Sequence, residues 1–308
     1  MNTQNKVTII GAGFVGSTIA YSLLAANLPE EIALIDINKE LVTAQVMDLQ
    51  HALPFLGYSR VKVGDYNDIK DSDVAIIACG ANQKPGESRL SLVKKNAAIL
   101  KKILPKIFRA NAKITLVIVT NPVDILTDLA IQMYPKKANQ IMGTGTLLDS
   151  ARFRWLLGQY LNVNPRSVHA YIAGEHGDSE FPIWSTATIG NTPVDKYHKI
   201  PAIDKKKIFQ SARNAAYAII AGKQATYYAI GAGTTALIKA ILFDEHTVLP
   251  LSHRLQGEYG IKNICLSMPR VVGCEGIINT VTPILNNQEK QQLQKSAKLL
   301  QKVIASIK

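Results

Sequence analysis

Gly11-Ala12-Gly13-Phe14-Val15-Gly16 follows directly after the apolar run Lys6 to Ile10 and opens a second apolar stretch that continues to Leu24. The first run has the length of a buried strand, and the second has apolar residues at helical spacing. Three glycines in this pattern allow a tight turn, a close approach of the backbone to a phosphate and close packing of the helix on the strand. We therefore predict that a dinucleotide pyrophosphate binds at the N-terminus of this helix.

A second short strand, Ile32 to Ile35, ends in Asp36, twenty residues after Gly16. A carboxylate at this place accepts hydrogen bonds from a ribose hydroxyl and repels a 2′-phosphate. The predicted cofactor is therefore NAD rather than NADP. The alternative is a glycine turn that binds no ligand.

The alternation of strands and helices continues through four more apolar runs, at 61–63, 74–78, 114–119 and 140–142. Six such strands predict an α/β fold with a doubly wound parallel Rossmann sheet, here residues 1–145, followed by a mixed α+β substrate domain, residues 146–308. Ligands of these sheets bind at the carboxyl ends of the strands. Beside the three glycines, those ends carry Val15, Asp36, Tyr66, Gly80, Ala81, Asn121 and Thr144.

Composition restricts the class of protein. Of the 308 residues, 47% are hydrophobic and 19% charged, as in a globular chain. The net charge of +12 does not indicate nucleic-acid binding, because lysines such as Lys295 and Lys302 fall on the polar side of an amphipathic C-terminal helix. No signal peptide precedes the first strand, and no apolar run reaches the roughly 18 residues of a membrane span. We expect a cytoplasmic protein with no membrane or nucleic-acid partner.

The three cysteines, Cys79, Cys265 and Cys274, lie in apolar runs without metal-ligand spacing. This arrangement predicts reduced thiols in the core and no metal site.

Gly174-Glu175-His176-Gly177-Asp178 places a histidine between two glycines. Its backbone can approach a ligand closely, and its imidazole titrates near neutral pH, so His176 is a candidate general acid and base. The alternative is a polar turn without chemistry.

The helix predicted to begin near Leu147 carries Asp149 and Arg152 three residues apart, on one face. Asp149 could orient His176, which would leave Arg152 free to grip a carboxylate. A structural ion pair between the two is the alternative. Arg154 points to the opposite side of this helix.

Between the fourth strand and the next helix, Pro85 and Gly86 mark a loop that ends in Arg89. Such a loop can close over a site and bring the arginine with it. A solvated loop arginine is the alternative.

Five motifs together resemble the L-lactate dehydrogenase branch of the lactate and malate dehydrogenases. They occur in the family's order and cover essentially the whole chain: Gly11 to Gly16, Gln83-Lys84-Pro85-Gly86-Glu87-Ser88-Arg89, Thr120-Asn121-Pro122-Val123-Asp124, Leu148-Asp149-Ser150-Ala151-Arg152-Phe153-Arg154, and Gly174-Glu175-His176-Gly177-Asp178-Ser179. The resemblance implies NAD as cofactor, pyruvate and L-lactate as substrates and a homotetramer built from two dimers. A regulatory protein that binds the dinucleotide without turnover is the rival hypothesis.

The resemblance also implies individual roles. His176 would be the proton donor and acceptor, Asp149 its orienting partner, and Arg152 the anchor of the substrate carboxylate. Arg89 would polarise the ketone as the loop closes, while Asn121 and Thr226 would line the substrate pocket. The sequence Ala221-Gly222-Lys223-Gln224 departs from the family's usual lysine-rich lead to that threonine, which leaves the local helix geometry open.

Gln83 bears on the choice of substrate. Malate dehydrogenases usually place an arginine here, because oxaloacetate carries a second carboxylate that cannot be buried unpaired. A neutral glutamine favours pyruvate, with larger 2-oxo acids as a minor alternative.

Arg154 and His169 resemble the pair that binds fructose 1,6-bisphosphate in activated bacterial lactate dehydrogenases. His169 precedes His176 by an odd number of positions, which in a strand places the two side chains on opposite faces. Paired across a symmetric interface, Arg154 and His169 could bind a doubly phosphorylated effector. Two surface cations without an effector are the alternative.

Overall fold

The computed structural model describes residues 5–81 and 89–306, and for Arg89 only the backbone. The first part of the chain alternates strands and helices. In chain order these are β1 (Lys6–Ile10), α1 (Phe14–Ala25), β2 (Glu31–Ile35), α2 (Lys39–Leu56), β3 (Arg60–Val63), β4 (Val74–Ile77), α3 (Arg89–Ala110), β5 (Thr115–Ile118), α4 (Val123–Met133) and β6 (Ile141–Gly143).

The second part mixes helices with antiparallel strands. Its elements are α5 (Leu147–Leu161), β7 (Val168–Ala173), β8 (Phe181–Ile189), β9 (Thr192–Pro193), α6 (Val194–Tyr197), α7 (Ala202–Lys223), α8 (Tyr228–Leu242), β10 (Thr247–Gln256), β11 (Lys262–Gly273), β12 (Gly276–Thr280) and α9 (Asn287–Ala305).

The first six strands form a parallel sheet in the order β3-β2-β1-β4-β5-β6. The pairing runs in register from β1 outward, with Val7 opposite Ile32 on one side and opposite Val74 on the other. The strand order reverses between β1 and β4, so this sheet has the switch point at which such folds bind ligands. The predicted doubly wound fold is confirmed.

The large sheet extends beyond the parallel strands. β10 pairs antiparallel with β6 through Ser252 and Gly143, and β11 and β12 follow, so the described sheet has nine strands. Strands β7, β8 and β9 form a second, antiparallel sheet. Gly174, directly after β7, bridges to Ser267 in β11. This bridge joins the loop after β7 to the middle of β11 in the large sheet.

Apart from the edge strand β3, the parallel strands are buried on both faces, which explains their mostly apolar sequences. In β1, Val7 and Ile9 belong to the hydrophobic cluster on one side of the sheet, whereas Ile10 belongs to the cluster on the other side. β4 repeats the alternation with Ile76 and Ile77. The sheet therefore fixes which residues emerge at its carboxyl edge.

The amphipathic C-terminal helix is α9. Leu293, Ala297 and Leu300 are buried in it, while Lys295 and Lys302 are exposed, as predicted. Among the described residues, no helix has both the length and the apolar character to cross a membrane.

The expectation for the cysteines is wrong at one position. All three thiols are free, and Cys265 is buried, but Cys79 is only partly buried and Cys274 is exposed. Cys274 occupies the turn between β11 and β12, where its backbone N–H donates to Asp244. An apolar run that crosses a hairpin turn does not remain in the core.

Candidate active site

The glycine-rich turn between β1 and α1 has a different requirement at each glycine. Gly11 has φ +113°, and a Cβ there would lie 2.5 Å from the backbone nitrogen of Cys79. A Cβ on Gly16 would collide with the Gly11 carbonyl oxygen. Around Gly13, in contrast, a Cβ would meet nothing within 4 Å. Packing therefore explains Gly11 and Gly16, whereas Gly13, the N-cap of α1, leaves room for a phosphate beside the helix N-terminus.

Asp36 lies beside this turn at the end of β2. Its Oδ2 accepts the N–H of Ala12 at 2.7 Å, and its Oδ1 accepts the N–H of Asn38 at 2.9 Å. Each oxygen retains a further lone pair for a ribose hydroxyl. The backbone N–H groups of Ala12 and Asn38 thus orient the carboxylate toward the place where a ribose would lie. The residues present fit NAD.

Asn96 links the ends of β4 and β5. Its side chain accepts the N–H of Ala81 at 2.7 Å and donates to the carbonyl of Asn121 at 2.7 Å. Gly80 lies against Thr120, where a Cβ would come within 2.6 Å of the threonine methyl group. Sequence reasoning missed Asn96, although a buried amide on the inner face of α3 is a recognisable signal.

The remaining predicted cofactor residues lie around the same edge. Val15 is half-buried in the first turn of α1, and Thr144 is buried directly after β6. Tyr66 begins a short 3-10 turn after β3, with the Lys106 ammonium 4.7 Å from its ring centre.

Asp149 connects the candidate acid and base to the candidate anchor. Its Oδ2 is 2.6 Å from His176 Nδ1, and its Oδ1 accepts a hydrogen bond from Arg152 Nη1 at 3.0 Å. The Asp149 side chain is only 3% exposed, while His176 is 27% exposed. Asp149 therefore contacts His176 and also forms the ion pair with Arg152, the two arrangements predicted as alternatives. One nitrogen of Arg152 is bound to Asp149, so Arg152 is not wholly free.

The loop from 174 to 180 holds His176 by its backbone. Gly174 has φ +95° and exchanges two backbone hydrogen bonds with Ser267 of β11. The Glu175 N–H donates to Ser296 of α9 at 2.7 Å, and the His176 N–H donates to Asp124 Oδ2 of α4 at 2.7 Å. Three separate elements fix the loop, so the imidazole position is set by the tertiary fold.

Charge at the site favours a protonated histidine. Burial by itself lowers the pKa of His176, but the Asp149 carboxylate opposes it and raises the pKa to about 9. Burial likewise opposes ionisation of Asp149, yet the His176 and Arg152 cations hold the pKa of its carboxyl below the usual value. Near neutral pH the pair is therefore an imidazolium and a carboxylate. His176 can donate a proton until the pH rises through about 9.

The variant Asp149→Asn removes the carboxylate that opposes burial. We expect the pKa of His176 to fall well below about 9, because the Asp149 carboxylate that most opposes its burial is lost while the desolvation remains. Histidine side-chain NMR of the variant would show this, with Asp195→Asn, an exposed carboxylate on α6, as the matched control. An unchanged His176 titration in Asp149→Asn would contradict the electrostatic account.

Two buried acids beside His176 were not identified from the sequence. Asp124, which accepts the His176 N–H, is 2% exposed, and burial raises its pKa to about 6. Glu180 is 6% exposed, and burial and then the Asp149 carboxylate raise its pKa to about 9. Asp124 closes the motif Asn121-Pro122-Val123-Asp124, where an acid in the first turn of an otherwise buried helix was the available signal.

Several predicted residues lie elsewhere or outside the described ranges. Gln83 is outside them, as is the side chain of Arg89, whose backbone begins α3. Thr226 is half-buried in the connection between α7 and α8, and α7 continues through Lys223 despite its unusual sequence. The structure does not bring Thr226 into a hydrogen bond with the His176 pair.

Arg154 and His169 occupy neighbouring elements, α5 and β7. Arg154 is half-buried with its Nε lacking a hydrogen-bond partner among the described residues, and His169 is exposed. His169 and His176 do not share one strand, because β7 ends at Ala173 and the loop that follows turns at Gly174. Alternation of faces does not continue across such a turn.

Comparisons with known proteins extend over the whole chain. The family model of the lactate/malate dehydrogenase NAD-binding domain matches residues 5–143, and the model of the family's α/β C-terminal domain matches residues 146–308. An L-lactate dehydrogenase of Acetivibrio thermocellus is 45% identical over 98% of this chain and 97% of its own length. One from Thermus aquaticus is 42% identical over 96% of this chain and 97% of its own length.

Solved structures agree with this match. The minor L-lactate dehydrogenase of Enterococcus mundtii, solved in a ligand-bound form, superposes with a TM-score of 0.97 at 39% identity, covering 100% of this chain and 99% of that one. The parallel sheet, its glycine turn and Asp36 are those of an NAD-binding domain, and together with the matches they define an NAD-dependent dehydrogenase. The chain belongs to the lactate/malate dehydrogenase family.

Proposed function

We propose that the protein is an L-lactate dehydrogenase that interconverts pyruvate and L-lactate. The observation that supports this most is the Asp149 carboxylate, which contacts His176 with one oxygen and Arg152 with the other. This contact would hold the proposed proton donor and the proposed carboxylate anchor side by side, as reduction of a 2-oxo acid requires. The relatives named above carry the same activity in their names.

NADH supplies the hydride to the carbonyl carbon when it is bound. In the proposed mechanism, protonated His176 donates its proton to the carbonyl oxygen, and Asp149 stabilises the imidazolium before transfer and fixes the ring orientation. In the reverse direction neutral His176 accepts the hydroxyl proton. Arg152 binds the substrate carboxylate with the guanidinium nitrogens that do not contact Asp149.

The proposal includes four further substrate residues. Asn121, at the carboxyl end of β5, would hydrogen-bond the substrate oxygen, and Thr226 would line the pocket from the α7–α8 connection. Arg89 would stabilise the developing negative charge on that oxygen. Gln83 would lie beside the methyl group of pyruvate without requiring a countercharge. The last two assignments rest on the sequence motif 83–89 alone.

A substrate panel tests the proposed function. Initial rates of NADH oxidation are compared for pyruvate, oxaloacetate and branched 2-oxo acids at equal concentrations. We expect kcat/KM for pyruvate to exceed that for oxaloacetate by about a hundredfold or more, because an unpaired buried carboxylate costs several kcal/mol. A preference for oxaloacetate would contradict the assignment of Gln83, and NADH binding without any turnover would favour the regulatory protein.

The proposed enzyme is also a homotetramer activated by fructose 1,6-bisphosphate. The support is Arg154, whose buried Nε has no partner among residues 5–81 and 89–306, and the exposed imidazole of His169 on the adjacent strand. A phosphate ligand would satisfy such a guanidinium.

Pyruvate saturation curves with and without the bisphosphate test the effector. We expect the bisphosphate to lower the pyruvate concentration at half-saturation, and Arg154→Gln to abolish this effect while basal turnover persists. The exposed Arg166→Gln is the matched control. Superimposable curves at neutral and at higher pH would contradict activation.

A further inference from the structure

Glu180 is a buried acid immediately beside the His176–Asp149 pair that the proposed mechanism does not use. It ends the loop after β7 and is 6% exposed. Its Oε1 is buried and has no hydrogen-bond partner in the described part of the chain. One carboxylate oxygen each of Glu180 and Asp149 and one ring nitrogen of His176 all lie within 4.8 Å of one another. A buried carboxyl oxygen without a hydrogen-bond partner this close to the proposed proton donor requires an explanation.

The groups that face Glu180 come from several elements. They are Asp149 and Arg152 on α5, His176 in the same loop, and Arg213 on α7. Asp124 on α4 acts on His176 instead. The nearby Asp149 carboxylate disfavours a second negative charge, whereas the three cations favour it. Burial and Asp149 outweigh the three cations and raise the pKa of Glu180 to about 9. Glu180 is therefore a neutral carboxylic acid near neutral pH, as is compatible with its missing partner.

The charge of Glu180 and the charge of His176 depend on each other. A negative charge on Glu180 favours the imidazolium and raises the pKa of His176. When the pH approaches 9, loss of the Glu180 proton leaves a carboxylate beside the imidazolium, which then keeps its proton into more alkaline solution. The two groups titrate as a pair.

We propose that Glu180 is a positioning residue for proton transfer. Its carboxyl group is uncharged near neutral pH, and on losing its proton in alkaline solution it keeps His176 protonated. This inference rests on the proposed function for its kinetic consequence but not for its electrostatic one.

Two substitutions separate the charge of Glu180 from its shape. Glu180→Gln reproduces the neutral acid, so kcat/KM for pyruvate at neutral pH should remain within about twofold of the unmodified enzyme. The alkaline fall in kcat/KM should begin about half a pH unit to one unit lower, because no carboxylate forms. Glu180→Asp retains an ionisable group and should restore the alkaline limb. Glu275→Gln, an exposed acid between β11 and β12, is the control.

Histidine NMR of the enzyme without substrate measures the same effect without turnover. The titration midpoint of His176 should be lower in Glu180→Gln than in the unmodified enzyme, by the shift seen in the kinetics. An unshifted midpoint together with an unshifted alkaline limb overturns the proposal. If pyruvate is not turned over at all but the midpoint still shifts, the proposed function fails and this inference stands.

Infrared spectroscopy of the unmodified enzyme provides a test that does not depend on any variant folding. A protonated carboxyl band should persist above the range where Asp124, with a pKa of about 6, loses its proton, and should disappear near pH 9. A pH of 7.5 is about one and a half units above the pKa of Asp124. If every carboxyl group is ionised by that pH, Glu180 is not a neutral acid near neutral pH.

Discussion

Replacement of His176 by glutamine is expected to lower kcat/KM for pyruvate by about a thousandfold, with NADH binding unchanged. Glutamine cannot act as an acid, so the proton must come from water, and general acid catalysis contributes about 10² to 10⁴ in rate. The glycine turn and Asp36 lie on other elements and should bind the cofactor as before. Steady-state kinetics together with quenching of protein fluorescence by NADH would measure both quantities.

The control for this variant is His51→Gln, because His51 is an exposed residue on α2. It should retain full activity. If His176→Gln loses less than about tenfold, the rate of the unmodified enzyme does not depend on this histidine as an acid, and another donor must be sought. If NADH binding is lost as well, the substitution has disturbed the fold and Asp149→Asn becomes the relevant comparison.

Replacement of Arg152 by glutamine is expected to lower kcat/KM for pyruvate by more than about a hundredfold, mainly through KM. The variant removes the cation that pairs with the substrate carboxylate, and loss of one partner of a buried ion pair costs about 3 to 5 kcal/mol. Only 12% of the Arg152 side chain is exposed, so water would not replace it fully. Kinetics over a wide pyruvate range separate KM from kcat.

A second consequence of Arg152→Gln excludes an indirect effect through Asp149. Without the Arg152 cation, the negative charge of Asp149 is no longer partly neutralised and stabilises the His176 imidazolium more strongly. The pKa of His176 should therefore rise rather than fall. Lost activity together with a His176 that stays protonated would therefore locate the defect at the substrate. The exposed Arg109→Gln, at the end of α3, should have no effect. A hundredfold loss expressed only in kcat would contradict an anchoring role.

The fold was largely predictable from local patterns. Short runs without polar alternation, such as Val74–Ile77, are typical of strands buried on both faces, as the central strands of this parallel sheet are. Composition could not show that β10 joins β6 in the same sheet, because antiparallel pairing of distant strands leaves no local signal. The same limit explains Cys274, whose exposure depends on where a hairpin turns.

The site was predictable where a motif brings its own chemistry. His176, Asp149 and Arg152 are polar residues in otherwise apolar or glycine-rich surroundings, and the structure brings the three together. Asp124 and Asn96 were missed although each is a polar residue on an apolar helix face, because that signal indicates burial but not the partners, which only the tertiary structure supplies. Glu180 was missed for the same reason. The boundary proposed after residue 145 remains a prediction, with the large sheet continuing across it.

The most direct test of the account is the stoichiometry of the reaction with pyruvate. The unmodified enzyme should consume one NADH for each L-lactate formed, measured by NADH absorbance and by chiral analysis of the product. His176→Gln should form no more than about a thousandth as much in the same time. Bound NADH that is never oxidised, or a product other than L-lactate, would contradict the proposal that His176 and Asp149 serve lactate dehydrogenation.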